Sequence, residues 1–479
     1  MNIRADSVIV AQDDATWRGL WTSGLLGRFI VLCVGVWLHS ADTLITATIA
    51  PAIVADIGGV AYINWTITLY EVGGILAGAA AAMVCARFGA KRVLSWAALL
   101  YGGGCVLAGL APRMSVLLAG RLAQGMGGGM LLSLCYLAVH EWFPQSWWNR
   151  LFGIVAVIWG AGSLLGPLIG GALAGQHVWR IAFFLFAAQA VVLCLMAWVW
   201  LPSRTPSRQE AAPWPVLPLL VLSAATLLIA ESSVTNGIGW SILGCTLGTG
   251  LLYAAARLDR RALQRLFPLQ LLDVRHPVGA GLAMVFTLSA ATTGFWAYGP
   301  LILQVLFGTR PLISGYILAG EAIAWSLATL AVSEVPASAE QRLIRVGATL
   351  TALGAAGFAI AVPAGTLAGM VLCALLQGLG FGLCWPLIVQ RMARLSAEAE
   401  RPLAVASPAT LQRIGYAVGT AAAGIAANLS GLAAGISLTA TKAAAFWVFA
   451  AFVPVLALAL ICAWTFTGES PLGMQAAPP

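Results

Sequence analysis

Apolar residues run in blocks of about 20 along almost the whole chain, each long enough to cross a bilayer as a helix, with short polar breaks between them. Reading these blocks from Gly27 to Phe466 predicts fourteen membrane helices. They fall at roughly 28–48, 65–85, 93–111, 116–138, 151–174, 181–201, 214–231, 238–256, 278–304, 312–332, 345–362, 366–389, 403–427 and 443–466. The breaks carry Pro112, Pro144, Pro202, Pro213, Pro363 and Pro402, a residue that lacks the backbone donor a helix interior needs. No break is long enough for a separate soluble domain, so the expected class is an all-α polytopic membrane protein. Ahead of the first block, Trp17, Leu20, Trp21 and Leu25 lie at helical spacing; a short helix on the membrane surface and a disordered tail both accommodate them. The first 26 residues hold Asp6, Asp13 and Asp14 and no apolar core with a cleavage site, so no removable signal peptide is expected.

Composition agrees with the pattern. Of 479 residues, 60% are hydrophobic and 9% charged, against about 25% charged in soluble domains, and the mean hydropathy is +0.91. The net charge of +8 is not a nucleic-acid footprint, because the basic residues alternate by side. Arg113, Arg180, Arg310 and Lys442 alone fall in the loops on one side, whereas Arg87, Lys91, Arg92, Arg257, Arg260, Arg261, Arg265, Arg391 and Arg394 fall on the other. By the positive-inside bias both termini are expected in the cytoplasm. The nine cysteines occur singly in apolar context, as at Cys33, Cys105, Cys245 and Cys384, which suits small apolar side chains better than disulfides or metal ligands. No metal and no cofactor is expected, and the lipid bilayer is the expected surrounding of most of the chain.

The chain repeats itself. Leu122-Ala-Gln124-Gly125-Met-Gly127 is echoed by Leu375-Leu-Gln377-Gly378-Leu-Gly380, and Gly162 and Gly166 by Gly415 and Gly419. Both shifts equal 253 residues (377 − 124 and 415 − 162). A shift shared by two consecutive helices argues for a duplicated six-helix unit, with the helices near 214–231 and 238–256 inserted between the copies. The expected organisation is an amino-terminal segment at 1–26, a six-helix half at 27–202, a linker with two extra helices at 203–265, a second half at 266–468 and a tail at 469–479. Parallel halves around a central site form an alternating-access architecture.

Gly153, Gly162, Gly166, Pro167, Gly170 and Gly171 lie in a stretch with no charge from Leu151 to His177. Gly162, Gly166 and Gly170 recur every fourth residue and form one bare stripe along which two backbones can close. Pro167 kinks the helix beside it. The stripe is expected to be the seam on which this helix slides against a helix of the other half. This spacing, with its Gly-Pro and final Gly-Gly, resembles the fifth-helix signature of antiporters in the major facilitator superfamily.

The resemblance extends over nearly the whole chain and points to the fourteen-helix branch of the drug:proton antiporter family. Ala41-Asp42-Thr43-Leu44-Ile45-Thr46 through Pro51 resembles the first-helix motif of that branch, and Arg121-Leu-Ala-Gln124-Gly125-Met-Gly127 its fourth-helix motif. Arg87-Phe88-Gly89-Ala90-Lys91-Arg92 resembles the loop after the second helix. That motif usually carries an Asp before the Arg, thought to latch the halves; Ala86 stands there instead. The stretch from Pro268 to Pro311 also resembles the entry to the second half.

A charge at mid-bilayer costs about 2.5–3.5 kcal/mol even on the lenient insertion scale, so each one requires a reason. Five fall within predicted spans: Asp42, Glu71, Arg121, Glu321 and Arg413. At 1.5 Å per residue, Asp42, Glu71 and Arg121 are expected about 7–9 Å beneath the external face, and Glu321 and Arg413 about 14–15 Å deep. In the family fold all five lie on cavity-lining helices. Desolvation and a nearby guanidinium pull a carboxyl in opposite directions, so Asp42 with Arg121 reads as a switchable acid; the competing reading is a static pair. His39, one turn from Asp42, either assists or packs. Glu71 is a second proton site, a determinant of substrate choice or a structural hydrogen-bond partner. Glu321 either binds a cationic ligand or pairs permanently with Arg413.

An acidic site with aromatic faces suits a lipophilic cation. Trp296, Tyr298, Trp325 and Trp385, with Gln124, Gln304, Gln377 and Gln412 and with His39, are the substrate-binding candidates. No phosphate-binding Gly-x4-Gly-Lys motif, metal-ligand cluster or Gly-x-Ser-x-Gly elbow occurs, which disfavours ATP-driven transport and membrane hydrolysis. The resemblance implies a monomeric inner-membrane antiporter, not an enzyme, whose partners are the bilayer, a small-molecule substrate and protons, and which exports small amphipathic or cationic compounds for protons. Alternatives are a dedicated metabolite exporter, a proton-coupled uptake symporter and, outside transport, a membrane sensor or scaffold.

Overall fold

The structure, a computed structural model, describes residues 25–143, 145–202, 216–234, 237–332, 335–398 and 400–468. The amphipathic stretch from Trp17 to Trp21, the tail at 469–479 and the linker at 203–215 lie outside the described residues. The described chain is helical throughout. Its first six helices are α1 (Leu25–Ile57), α2 (Trp65–Phe88), α3 (Ala90–Gly109), α4 (Met114–Trp142), α5 (Gln145–Gly175) and α6 (Arg180–Trp200). After α7 (Val216–Glu231) and α8 (Ile238–Asp259) come α9 (Pro277–Phe307), α10 (Pro311–Ala331), α11 (Glu340–Ala361), α12 (Leu367–Leu395) and α13 (Arg401–Leu429). The last predicted span is broken into α14 (Leu438–Ala450) and α15 (Val453–Phe466). Pro454, in the first turn of α15, has no N–H to offer the carbonyl of Ala450, so the helix restarts there.

Eleven helical stretches among the described residues are long and apolar enough to cross a membrane, α14 and α15 together forming one of them. Of the remaining three helices, α7 has only 16 residues, α2 carries the buried Glu71 and α13 the partly exposed Arg413.

Helices α1–α6 pack on one another, as do α9–α15; the two bundles meet where α5 lies on α10, α13 on α2, and α1 on α9 and α10. Glycine makes the tightest of these contacts. A Cβ on Gly125 of α4 would lie 2.1 Å from the Tyr70 carbonyl oxygen of α2, and one on Gly378 of α12 would lie 2.0 Å from the Glu321 oxygen of α10. On the next face of the same helices, Gly127 is pressed on Tyr101 of α3 and Gly380 on Thr351 of α11. The glycine runs are therefore the lines along which the backbones touch.

The stripe on α5 has a different partner from the one expected. Gly162 faces Ser40, Gly166 faces Leu44 and Gly170 faces Ile45 and Thr48, all on α1 of the same bundle. The seam with the other bundle is carried by Pro167, against Gly315, and by Gly171, whose added Cβ would lie 2.5 Å from Leu312 Cα of α10. One residue is about 100° of helical turn, so 167 and 171 look out of a different face from 162, 166 and 170. Gly153 meets no described atom within 4 Å and belongs to neither contact. Gly415 and Gly419 of α13 repeat the stripe's geometry on Ser289 and Ala290 of α9.

The short helix pair α7–α8 is placed asymmetrically. α7 packs against both α2 and α13, while α8 packs mainly on α7. In the turn after α7, Ser233 joins both bundles: Asn64 Nδ2 donates to its hydroxyl at 3.3 Å, and Asn428 Nδ2 donates to its carbonyl at 2.8 Å. Asn428 also donates to the Ala61 carbonyl at 2.8 Å. The bundles are thus drawn together at the end that carries the turn between α1 and α2.

At the opposite end the loop of Arg87, Gly89, Lys91 and Arg92 makes a sharp corner. Gly89 adopts φ 83°, ψ 145° and is at once the last cap of α2 and the first of α3, a conformation that a side chain resists. Lys91 stands over the Trp198 ring at 5.0 Å, and Arg87 and Arg92 are exposed.

Candidate functional site

Where α1, α2, α4 and α13 converge, the charges form one connected network. Arg121 Nη1 donates to Asp42 Oδ2 at 2.8 Å, with both side chains out of contact with solvent. Buried charge is tolerated only when paired and hydrogen-bonded, and Arg121 has further partners beside Asp42. Its Nε donates to the Thr66 carbonyl at 3.0 Å, Nη1 also reaches Gln124 Oε1 at 3.2 Å, and its plane lies 4.3 Å from the centre of the Tyr70 ring. Thr46 donates to the other Asp42 oxygen at 3.4 Å, and Gln124 Nε2 donates to Cys105 Sγ at 3.1 Å.

Tyr70 carries the network onward. Its hydroxyl is 2.8 Å from His39 Nδ1, and His39 Nε2 is 3.1 Å from Arg413 Nη2. A guanidinium has donors only. His39 Nε2 must therefore accept, which assigns the neutral tautomer with its proton on Nδ1, donated to Tyr70. Arg413 Nη1 completes the chain by donating to Glu71 Oε2 at 3.2 Å. The path Asp42–Arg121–Tyr70–His39–Arg413–Glu71 thus crosses from the first bundle to the second. Thr68 and Thr420 make a further hydroxyl contact at 2.9 Å between α2 and α13 beside it.

Two expectations change here. Arg413 is the partner of Glu71 and His39, so the expected alternative of a permanent Glu321–Arg413 pair is overturned. The expected difference in depth between Glu71 and Arg413 is bridged by the arginine, whose arm spans about one helical turn. His39 is both a packed residue and a link between two ionisable groups.

Glu321 stands apart in the second bundle. Gln377 Nε2 donates to its Oε1 at 2.6 Å and also reaches the Thr292 carbonyl at 3.4 Å. Among the described residues no basic side chain pairs with it, and Oε2 has no hydrogen-bond partner. The Trp296 indole approaches the same carboxyl. One turn along α10, Trp325 stacks on Phe381 with ring centres 4.7 Å apart and meets Trp385 edge-on at 6.3 Å. The structure therefore places Gln377 and Trp296 at the Glu321 carboxyl, with Trp325 one helical turn away and Trp385 beyond it. Gln304 and Gln412 are half-buried with unpartnered Nε2 groups, and Gln412 lies beside Tyr416. Tyr298 is instead enclosed in the packed core, its hydroxyl unpartnered.

Tyr70 is the network member that sequence reasoning passed over. In the chain its only mark is that it precedes Glu71, and nothing in a helical pattern shows that its ring would lie under a guanidinium from α4. Asn64, Ser233 and Asn428 were likewise unremarkable polar residues at helix ends.

The Major Facilitator Superfamily profile matches residues 32–420. This chain belongs to the major facilitator superfamily. It is 29% identical to a protein of Mycobacterium tuberculosis described as a probable multidrug-efflux transporter, over 92% of this chain and 97% of that one. It is 23% identical to the riboflavin transporter RibZ of Clostridioides difficile, over 74% and 77%. Among solved structures it superposes on the POT family transporter PepTSo with a TM-score of 0.66 at 15% identity, covering 94% of this chain and 99% of that one. The D-xylose-proton symporter superposes with a TM-score of 0.63 at 16% identity, covering 93% and 99%. As a member of this superfamily the chain is a multi-pass membrane transporter of small molecules. The two structural likenesses establish the fold.

Proposed function

We propose that this transporter is a proton-coupled antiporter that exports small amphipathic or cationic compounds from the cytoplasm. The observation that carries the reading is the buried network from Asp42 to Glu71, in which two carboxyls of one bundle are held by arginines, one of them from the other bundle. Protonating Glu71 removes the charge that holds Arg413, and protonating Asp42 removes the one that holds Arg121. The first event loosens a contact between the bundles, and the second changes the charge that reaches that contact through Tyr70 and His39, so proton binding and bundle movement are linked. The M. tuberculosis relative supports efflux as the direction.

In this reading the bundles are six-helix copies of one unit and α7–α8 is an insertion, making fourteen membrane helices. The matching glycine contacts in the two bundles support the duplication. The basic loops, by the positive-inside bias, support an inner-membrane protein with both termini in the cytoplasm. The end closed by Asn428 and Ser233 then faces outward. Glu321, without a basic partner and flanked by tryptophans, is the acid that receives a cationic substrate, where ring-face attraction adds about 0.5–2 kcal/mol per contact.

The reading is tested in proteoliposomes with ethidium as a lipophilic cationic probe. An inside-acid gradient is expected to drive its accumulation, with protons leaving in proportion to the ethidium taken up. Proton movement in the same direction as ethidium would make the protein a symporter, and binding without proton movement would make it a sensor. Glu321→Gln is expected to weaken ethidium binding about tenfold, the scale of one buried charge-assisted contact, with little effect on a neutral ligand of similar size. Equal loss for both ligands would count against a charge-reading role.

A further inference from the structure

The structure assigns a binding site for an anionic membrane phospholipid to the groove between the helix pair α7–α8 and the second bundle. A cavity of about 340 Å³ lies there, walled by Leu222, Leu252, Tyr253, Ala283, Phe286 and Ile414. That volume falls within the range of about 300–1,000 Å³ typical of ligand pockets, and its walls suit an acyl chain. It lies apart from the network and from Glu321.

The groove is a built feature of the fold. Asp259, at the end of α8, accepts from the backbone N–H groups of Leu266 at 2.7 Å and Phe267 at 3.0 Å. This folds the following segment back beneath α8. Arg265 pairs with Glu400 at 2.7 Å and ties that segment to the start of α13. The apolar hollow is therefore held open by polar clamps on its rim rather than filled by side chains.

Charge selects the occupant. Arg257, Arg260 and Arg261 cluster at the end of α8, all exposed, and Arg275 follows at the start of α9. Arg257 bonds the Tyr253 hydroxyl and stands 4.9 Å over its ring, so the wall of the groove leads directly to a guanidinium. The acids nearby are already engaged: Asp259 by the two N–H groups, Glu400 by Arg265, and Asp273 by the Arg275 N–H at 3.0 Å. Among the described residues no carboxylate pairs with Arg257, Arg260, Arg261 or Arg275. An apolar slot ending in surplus guanidinium groups at the edge of the membrane fits a lipid tail below and a phosphate headgroup above. Because α7 touches both α2 and α13, a lipid lodged here would brace the helix pair against the seam between the bundles.

The experiment is native mass spectrometry of the full chain in micelles containing equal phosphatidylglycerol and phosphatidylcholine. Wild type is expected to retain one phosphatidylglycerol in preference to phosphatidylcholine. Each arginine near an anionic headgroup contributes about a fivefold effect, so Arg257→Gln/Arg260→Gln/Arg261→Gln is expected to lower phosphatidylglycerol retention at least about tenfold. Ala283→Trp, which fills the groove, should reduce retention of both lipids; Ala283→Leu gives the same readout by a smaller change if the tryptophan disturbs folding. All four substituted positions lie outside the ionic network. A wild type without preference for phosphatidylglycerol, a triple variant that retains it fully, or groove-filling variants that retain both lipids as wild type does would each overturn the assignment.

Discussion

Asp42→Asn is expected to abolish transport driven by an acid gradient while leaving the protein folded in the membrane. The substitution keeps an oxygen that can accept from Arg121 Nη1, now 2.8 Å away, and keeps the side chain's size. It removes the charge and the site of protonation together. Arg121 then keeps its bonds to Thr66 and Gln124 and its place over Tyr70, so the helices remain positioned. Ligand binding should depend less steeply on pH in the variant than in the wild type, because Glu71 and Glu321 remain to be protonated. Uphill transport is expected to fall to the level of protein-free vesicles. Substrate exchange without a gradient should persist, because it requires the bundles to move and no net proton transfer. Retained uphill transport by the asparagine variant would remove Asp42 from the coupling mechanism. Asp42→Ala should behave worse in a separable way: an arginine left buried without its partner costs about 3–5 kcal/mol, which would appear as a lower unfolding temperature in detergent.

Arg413→Ala carries the second large effect, because one side chain serves two partners across the junction between the bundles. Its loss leaves Glu71 buried without a cation and His39 Nε2 without its donor. Breaking a buried pair by removing one member costs about 3–5 kcal/mol, so a marked fall in thermal stability is expected, with transport lost. Glu71→Gln with Arg413→Gln tests what the pair does beyond stability. Two amides can still bond to each other and neither is charged, so most of the stability should return. Proton coupling at this junction should not. Unfolding temperatures of the four proteins in a double-mutant cycle measure the interaction itself; additivity would mean that the 3.2 Å contact contributes nothing to holding the bundles together. Full recovery of coupled transport by the double variant would show that this pair is a structural fastener.

The two predictions separate the acids by role. Asp42 and Arg121 belong to one bundle and move as a unit, so their pair can change protonation without itself opening the seam. Glu71 and Arg413 belong to different bundles, so their pair cannot survive a movement that parts α2 from α13. Tyr70 and His39 stand between them. A change of charge at one end can therefore alter the other through a ring face and two hydrogen bonds, without direct contact between the acids.

Much of this protein could be read from its residues alone, because the membrane simplifies the problem. A helix that spans a bilayer must satisfy its own backbone, so blocks of apolar residues map onto helices almost one for one. Prolines such as Pro112 and Pro202 mark their ends. The costly intramembrane charges announced Asp42, Glu71, Arg121, Glu321 and Arg413 as residues with a task. The matching runs at 122–127 and 375–380 declared the repeat. What a helical sequence does not contain is the identity of the neighbour across the contact. The stripe of Gly162, Gly166 and Gly170 specified a partner at backbone distance but not that the partner was α1, and the adjoining face of Pro167 and Gly171 took the seam instead. For the same reason Arg413 could be placed on its helix but not assigned to Glu71 rather than Glu321. That choice depends on how far α13 is rotated against α2, an angle set by packing between helices distant in sequence. Tertiary structure alone decided which charges meet, because each link from Asp42 to Glu71 joins two different helices.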